Sequence, residues 1–278
     1  MNFFDLGHSK YFFKKKKILK KISNFKNNKY WEQLNSIVDP DNKKRDLSKE
    51  EKKKTNDLKT EISFIKKKFK NKKKIKIIDL GSGLGFFLKQ FSGKKYDKHS
   101  VEVSKVASVR SKNWSTVHHL DLQKEIKQDI GKFDVVFSYH VIEHLKKPNI
   151  FLLNVQKLLK KNGIFILGTP NFDSGCARHF NKNYRFYHDK THISYFSENS
   201  LFRFLDDYGF KTMHVDYPFF DTEHFSIKNF KRLFDNSKIS PPFYGNIMTF
   251  YCKKKSKKNI IKNLNYKKNL LRIIYKKY

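Results

Sequence analysis

The sequence predicts an α/β fold built on a parallel, doubly wound sheet, and three observations carry that reading. A β-branched run, Ile75 to Ile78, ends in Asp79 and breaks into Gly81-Ser82-Gly83-Leu84-Gly85 before an apolar segment opens at Phe86. This is a strand, a tight turn and a helix start. Two further buried-looking strands, at 133–138 and 164–168, are separated by a helical stripe rather than a hairpin turn. Strands joined through helices must cross over, and crossovers make parallel sheets.

Taken in order, residues 1–30 are Lys-rich and dotted with aromatics, and Ile18, Leu19 and Ile22 recur at helical spacing, which predicts a short amphipathic helix packing on the core or as a lid, with weak contact at a membrane surface as the alternative. Tyr30 to Leu34 is the first ordered-looking piece, and Asp39-Pro40-Asp41-Asn42 is a turn. Ser48-Lys49-Glu50-Glu51 has a capping pattern, and Leu58, Ile62, Ile65 and Phe69 then form one buried stripe leading into the first strand. After the glycine turn a helix over Leu84–Phe91 should stop at Gly93, and a strand, unusually polar, should occupy 96–103. A short helix from Ser104, a third strand at 115–120 and a fourth at 133–138 follow. Pro148 opens a helix whose inner face is Phe151, Leu152, Val155, Leu158 and Leu159; Lys161-Asn162-Gly163 should cap and turn it before the fifth strand. Residues 171–196 show no period and read as a long functional loop holding Cys176, Arg178, His179, Arg185, His188 and His192. Ser197 caps another helix closed by Gly209, 210–217 is strand-like, 218–244 is irregular and aromatic, and 246–252 is a last strand before a Lys-rich tail.

The glycine turn admits three readings. A dinucleotide fingerprint wants its third glycine at 86, where Phe86 stands, and a P-loop needs Lys-Ser/Thr after its last glycine. An acid followed by alternate glycines at a strand end remains, with free amide N–H groups at the next helix start able to receive a polar ligand. A glycine turn with no ligand is the bland alternative. Glu102 lies 23 residues past Asp79, near the spacing at which a carboxylate on the second strand reaches a ribose diol.

The ordered set of motifs is more specific than any one of them. Asp-Leu-Gly-Ser-Gly-Leu-Gly at 79–85, Val-Glu-Val-Ser at 101–104, Phe-Asp-Val-Val-Phe-Ser at 133–138, Val-Ile-Glu-His-Leu-x-x-Pro at 141–148, Gly-Thr-Pro-Asn at 168–171 and His-Ile-Ser-Tyr-Phe-Ser at 192–197 stand in sequence. Together they resemble the class I S-adenosylmethionine (SAM) dependent methyltransferases, of the small-molecule type that includes ubiquinone-pathway O-methyltransferases and sugar methyltransferases. The resemblance implies a Rossmann-like sheet of seven strands with the last antiparallel, plus N-terminal helices, with SAM as cofactor. It further implies that Gly81, Gly83 and Gly85 pass close to the methionine part and Asp79 meets its ammonium. Glu102 would hold the ribose, Asp121 and Leu122 the adenine, and Ser138 would line the cofactor. Ser100 departs from the family pattern, which has glycine just before the second-strand acid.

Methyl transfer to an alcohol or phenol needs positioning and a base near neutral pKa. His140, Glu143, His144 and His192 are the candidates; a helix-start bond for His144 and a loop anchor for His192 are the structural alternatives. His140-x-x-Glu143-His144 also spells a zinc-peptidase pattern, but it leaves a buried strand instead of lying on a long helix. No resident metal is expected, although the resemblance leaves open a divalent ion among these four residues.

The formal charge is +35, yet only seven of the 61 basic residues are arginine. Phosphate and base readers favour arginine's planar fork, so nucleic acid is disfavoured as partner; the resemblance implies a small-molecule acceptor. Cys176 and Cys252 have no metal-ligand or disulfide spacing. No run reaches the ~18 apolar residues of a membrane span, and a cytoplasmic location is expected. The expected organisation is an N-terminal helical lid at 1–70, the methyltransferase domain at 71–253 and a basic tail at 254–278. The alternatives are an RNA or protein methyltransferase using the basic surface, and a non-catalytic SAM-binding module.

Overall fold

The computed structural model describes residues 50–189, 191–217 and 226–255, with short pieces at 4–5, 13–15, 37–38 and 44–46. The helix expected at 18–22, the piece at 30–34, the turn at 39–42 and most of the basic tail lie outside the described residues. A seven-stranded sheet holds the rest together. Its strands are β1 (Ile75–Leu80), β2 (Tyr96–Val101), β3 (Thr116–His118), β4 (Phe133–Tyr139), β5 (Leu159–Pro170), β6 (Phe210–Asp216) and β7 (Ile247–Lys254). They lie in the order β3-β2-β1-β4-β5-β7-β6. β1 pairs parallel with β2 and β4, β3 with β2, and β5 with β4, while β7 is antiparallel to both β5 and β6. The last strand is antiparallel, as expected.

Period-two alternation in the central strands produces two cores. Ile78, Leu80, Phe133 and Val136 face one side, against the helices α5 (Pro148–Leu158) and α8 (Glu198–Asp207). Ile75, Ile77, Val135 and Phe137 face the other, against α2 (Lys59–Lys68) and α3 (Phe86–Lys89). Phe87 stacks on Phe137 there, with ring centroids 3.6 Å apart. At about 25 cal/mol per Å² of apolar surface removed from water, these two faces are the main drive for folding.

The polar β2 forms because its side chains satisfy one another. The His99 Nδ1 lies 3.0 Å from His118 Nε2 on β3, and its Nε2 lies 3.0 Å from Asp97 Oδ1. Ser100 is fully buried, with its hydroxyl 2.9 Å from that of Ser115.

Several boundaries depart from the sequence expectation. The stripe through Leu58 is two helices, α1 (Glu51–Asp57) and α2, broken at Leu58 (φ −105, ψ 11). Glu50 holds the N-cap position without a side-chain bond, and Ser48 lies outside the described residues. The helix after the glycine turn is shortened to 86–89, with Gly85 as its N-cap. Gly163 ends no helix: α5 stops at Leu158, and β5 begins at Leu159 and runs through 163. A Cβ on Gly163 would lie 2.7 Å from Leu159 Cδ1 and 3.0 Å from the Phe133 carbonyl, so glycine is required by close packing rather than by a turn. The segment 171–196 contains α6 (Gly175–Phe180), α7 (Arg185–His188) and a short strand at 194–195. The helix from Ser197 has the expected cap, with Ser200 completing a capping box. No helix among the described residues is long and apolar enough to cross a membrane.

Candidate active site

The site lies where the carboxyl ends of β1, β2, β4 and β5 meet. Gly81, Gly83 and Gly85 all take positive φ, at 82°, 52° and 79°. A side chain at Gly81 would collide with Val141, whose Cγ2 lies 2.4 Å from an ideal Cβ. The glycine turn therefore lies directly against the turn that leaves β4.

Glu102 follows β2 and is buried. Its two oxygens accept the Gly83 and Ser104 backbone N–H groups, each at 2.8 Å, which ties the glycine turn to the start of the helix α4 (Lys105–Ser111). Burial raises the Glu102 pKa, against those backbone bonds. Asp79, on β1, is pushed well above the ordinary carboxylate range by burial and by the Glu102 charge. Two adjacent buried acids, with the Glu102 charge raising the Asp79 pKa, favour a cation beside them. Asp121 and Leu122 follow β3: the Asp121 carboxylate accepts the Gln123 N–H at 3.1 Å, and Leu122 packs into the core. Ser138 is fully buried and donates its hydroxyl to the Leu80 carbonyl at 3.0 Å, fastening β4 to the end of β1.

The second group begins at the end of β4. His140 has φ 55°, a conformation rare outside glycine and asparagine, and the turn leads into a 3-10 helix over Ile142–His144. Glu143 is fully buried: Oε1 lies 3.0 Å from His140 Nδ1, and Oε2 accepts the Thr169 hydroxyl at 2.9 Å. Burial acts to raise its pKa, but the His140 bond and the neighbouring imidazoles outweigh that and hold it at about 2. His192 arrives from the far end of the 171–196 segment. The Ile193 N–H donates to the Glu143 carbonyl at 2.9 Å, and the Ser194 hydroxyl to the Leu145 carbonyl at 2.9 Å. These two bonds bring the His144 and His192 rings to 4.7 Å.

His144 Nδ1 lies 3.2 Å from the Thr191 carbonyl, and His192 Nδ1 lies 3.1 Å from the Phe186 carbonyl. A carbonyl only accepts, so each Nδ1 carries its proton and, in the neutral ring, Nε2 carries the lone pair. Burial, followed by His192, lowers the His144 pKa. Glu143, His144 and His192 each present a ligand-capable atom, all within 4.8 Å of one another, and they are the only such trio among the described residues. His140 stands behind Glu143 and outside the trio. Sequence reading missed Thr169 and Asp189, whose carboxylate lies 3.6 Å from His192 Nε2. Thr169 was visible inside Gly-Thr-Pro-Asn; Asp189 stood three residues before a candidate histidine.

Residues 50–215 match the model of a methyltransferase domain family. The chain belongs to that family. The domain is a SAM-dependent methyltransferase domain of Rossmann-like fold, with SAM as its cofactor. A curated relative, the ubiquinone biosynthesis O-methyltransferase of Pelagibacter ubique, is 34% identical over 74 residues, which span 27% of this chain and 30% of the relative. The match thus covers less than a third of that enzyme's length. Among solved structures, the magnesium protoporphyrin IX methyltransferase of Synechocystis PCC 6803 with bound SAH superposes with a TM-score of 0.56 at 12% identity, over 84% of this chain and 97% of that one. A SAM-dependent methyltransferase from Clostridium acetobutylicum gives 0.51 at 11% identity, over 72% and 92%. At such identities the likeness speaks for the fold. The acid-and-glycine end of β1–β2 and the histidine-rich end of β4–β5 are in contact through Gly81 and Val141.

Proposed function

We infer that the protein transfers a methyl group from SAM to an oxygen of a small-molecule acceptor of the sugar or quinone-precursor type. The observation that carries this reading is the pairing of Glu143, His144 and His192 beside the glycine turn. When bound, SAM supplies an electrophilic methyl group on a sulfonium leaving group. The glycine turn and Glu102 would receive its amino-acid and ribose parts, and Asp79 would meet its ammonium. His144, held neutral by burial and oriented through Thr191, takes the acceptor's hydroxyl proton at Nε2. Transfer to the acceptor oxygen would break the carbon–sulfur bond of SAM and release the sulfur as a neutral thioether. Glu143, ionised and fixed by His140 and Thr169, steadies the imidazolium that forms. His192 closes the other side of the acceptor pocket with the aromatic side chains of 171–196.

A second reading shares these residues. One carboxylate and two imidazoles with Nε2 lone pairs fit the donor set of a divalent metal, and the depressed Glu143 pKa keeps that ligand ionised at neutral pH. Such an ion would polarise a phenolic hydroxyl and lower its pKa.

The test is transfer from methyl-labelled SAM to a panel of phenolic quinone precursors, sugars and RNA, with and without chelator. Labelling of a phenol or sugar that disappears in His144→Ala supports the proposal. Labelling of RNA alone would replace it. Loss in chelator restored by one divalent ion would favour the metal reading; full activity in chelator removes it. SAM binding in calorimetry with no transfer to any acceptor, and no effect of His144→Ala or His192→Ala, would leave a SAM-binding module.

A further inference from the structure

Nine large apolar side chains are exposed among the described residues, and three fall in one eight-residue stretch: Ile227 (78% exposed), Phe230 (51%) and Phe234 (79%). The helix α9 (Ile227–Arg232), capped by Ser226, and the turn after it place them at helical spacing on one outward face. The Phe230 and Phe234 rings meet edge to face, 5.6 Å apart. The opposite side is anchored: Leu233 packs against the cluster of Cys176, Ala177, Phe180 and Tyr184. His179 donates to the Leu233 carbonyl at 2.9 Å, and Asn183 to the carbonyls of Asn236 and Ser237. The aromatic face is thus presented by a fastened segment. Beside it, Lys228, Lys231, Arg232 and Lys238 line a bowl of about 480 Å³, whose one acid, Asp235, is paired with Lys238 at 2.9 Å.

We propose that this face is a membrane-docking surface for a bilayer containing anionic phospholipid. Apolar tips ringed by lysine are what an interfacial helix offers: the tips enter the headgroup–acyl boundary, and the ammonium groups reach the phosphates. Charge complementarity selects the partner, because the segment carries cations and almost no free anion in a chain of net +35. RNA is the poorer fit: Ile227, among the most exposed of the three, has no ring for a base to stack on. The inference goes beyond the proposed reaction and needs no assumption about the acceptor.

The test uses the full chain with vesicles of phosphatidylcholine, with or without phosphatidylglycerol, across a salt series. The basic segments outside the described residues also attract anionic vesicles, so the apolar contribution must be isolated. Wild type should bind phosphatidylglycerol vesicles at least about tenfold more tightly than the double variant Phe230→Ser/Phe234→Ser at high salt, where charge is screened. Phe202→Ser, at an exposed phenylalanine on α8, should bind like wild type. Phe234→Trp should shift its emission to the blue on binding and be quenched by bromine-labelled lipid tails. Equal binding by wild type and the double variant at every salt concentration, or no quenching of the tryptophan, overturns the proposal. So does a double variant that loses affinity for a single-stranded RNA while keeping it for vesicles.

Discussion

Glu61 gives the sharpest test of the fold's electrostatics. It lies on α2, fully buried, on the side facing the sheet. Its Oε1 accepts the Thr249 hydroxyl at 3.0 Å, while Oε2 and the Tyr251 hydroxyl have no hydrogen-bond partner among the described residues. Asp57 and Asp216 add like charge from α1 and β6, and the phenols of Tyr139 and Tyr251 face it from β4 and β7. Burial, with those acids, moves its pKa from 4.5 to about 7, against the Thr249 and backbone bonds. An acid whose folded pKa lies above its unfolded one binds its proton more tightly when folded. The associated stability is complete below pH 4.5, declines as pH rises, and is gone above about 7. At 1.36 kcal/mol per pH unit between the two pKa values, the loss is roughly 3 kcal/mol. Glu61→Gln removes the titration. Denaturant unfolding of both proteins at pH 5 and pH 8 should show the variant gaining on wild type by about 2–3 kcal/mol between the two pH values. In melting temperature that is roughly 5–12 °C. A wild-type-to-variant difference that is the same at both pH values would show that Glu61 does not titrate between folded and unfolded states, and would refute the argument.

Three further outcomes follow from the site. Gly85→Ala forces φ 79° on a residue with a Cβ, 3.0 Å from the Ser111 backbone; calorimetry should show SAM affinity falling at least about tenfold, with about 1–3 kcal/mol lost from stability. Glu102→Gln leaves an amide NH2 facing one of two backbone N–H donors, at Gly83 and Ser104; SAM should bind about tenfold to a hundredfold more weakly with the melting curve little changed. His144→Ala should lower kcat by about 10²–10⁴ while SAM affinity holds. Because burial and His192 lower the His144 pKa, its neutral form persists into acid, so the acid limb of the wild-type rate profile should fall below pH 6.5.

The parallel strands of the sheet and the glycine turn were legible because they rest on local signals. A β-branched run, an acid and alternate glycines say what the backbone does within about ten residues. The 171–196 segment was not, because its order is held from far away. The Tyr184 hydroxyl donates to the carbonyl of Asn171 and Arg185 to that of Ser240, and Ile193 reaches back to Glu143. Gly163 misled for the opposite reason: a Lys-Asn-Gly sequence after a helix imitates a C-cap, and only the adjacent Phe133 carbonyl shows that the glycine serves packing. Glu61 was invisible since an acid between apolar positions of an amphipathic helix ordinarily faces water.

Glu61 apart, the buried acids Asp79, Glu102, Asp134 and Glu143 sort by their partners, and among these four that sorting says more than their positions in sequence do. Asp134, at the start of β4, is held by Lys72 at 2.5 Å, by Lys160 at 3.0 Å and by the Lys76 N–H at 2.9 Å, and burial is outweighed so that its pKa falls. It is a closed ion cluster with nothing left to offer a ligand. Asp79 and Glu102 are buried at the opposite end of the sheet, and burial leads the causes that raise both pKa values. Leaving two acids so placed costs stability, and a cationic ligand recovers it, as the sulfonium and ammonium of SAM would. Glu143 is the third kind: its charge is kept, yet its partners are imidazoles rather than lysines, and imidazoles change protonation near neutral pH. A chain with 61 basic residues had lysines available for every one of these positions. That, of these four, it places lysine only around Asp134 is an electrostatic argument for proposing donor binding at β1–β2 and proton transfer at β4–β5.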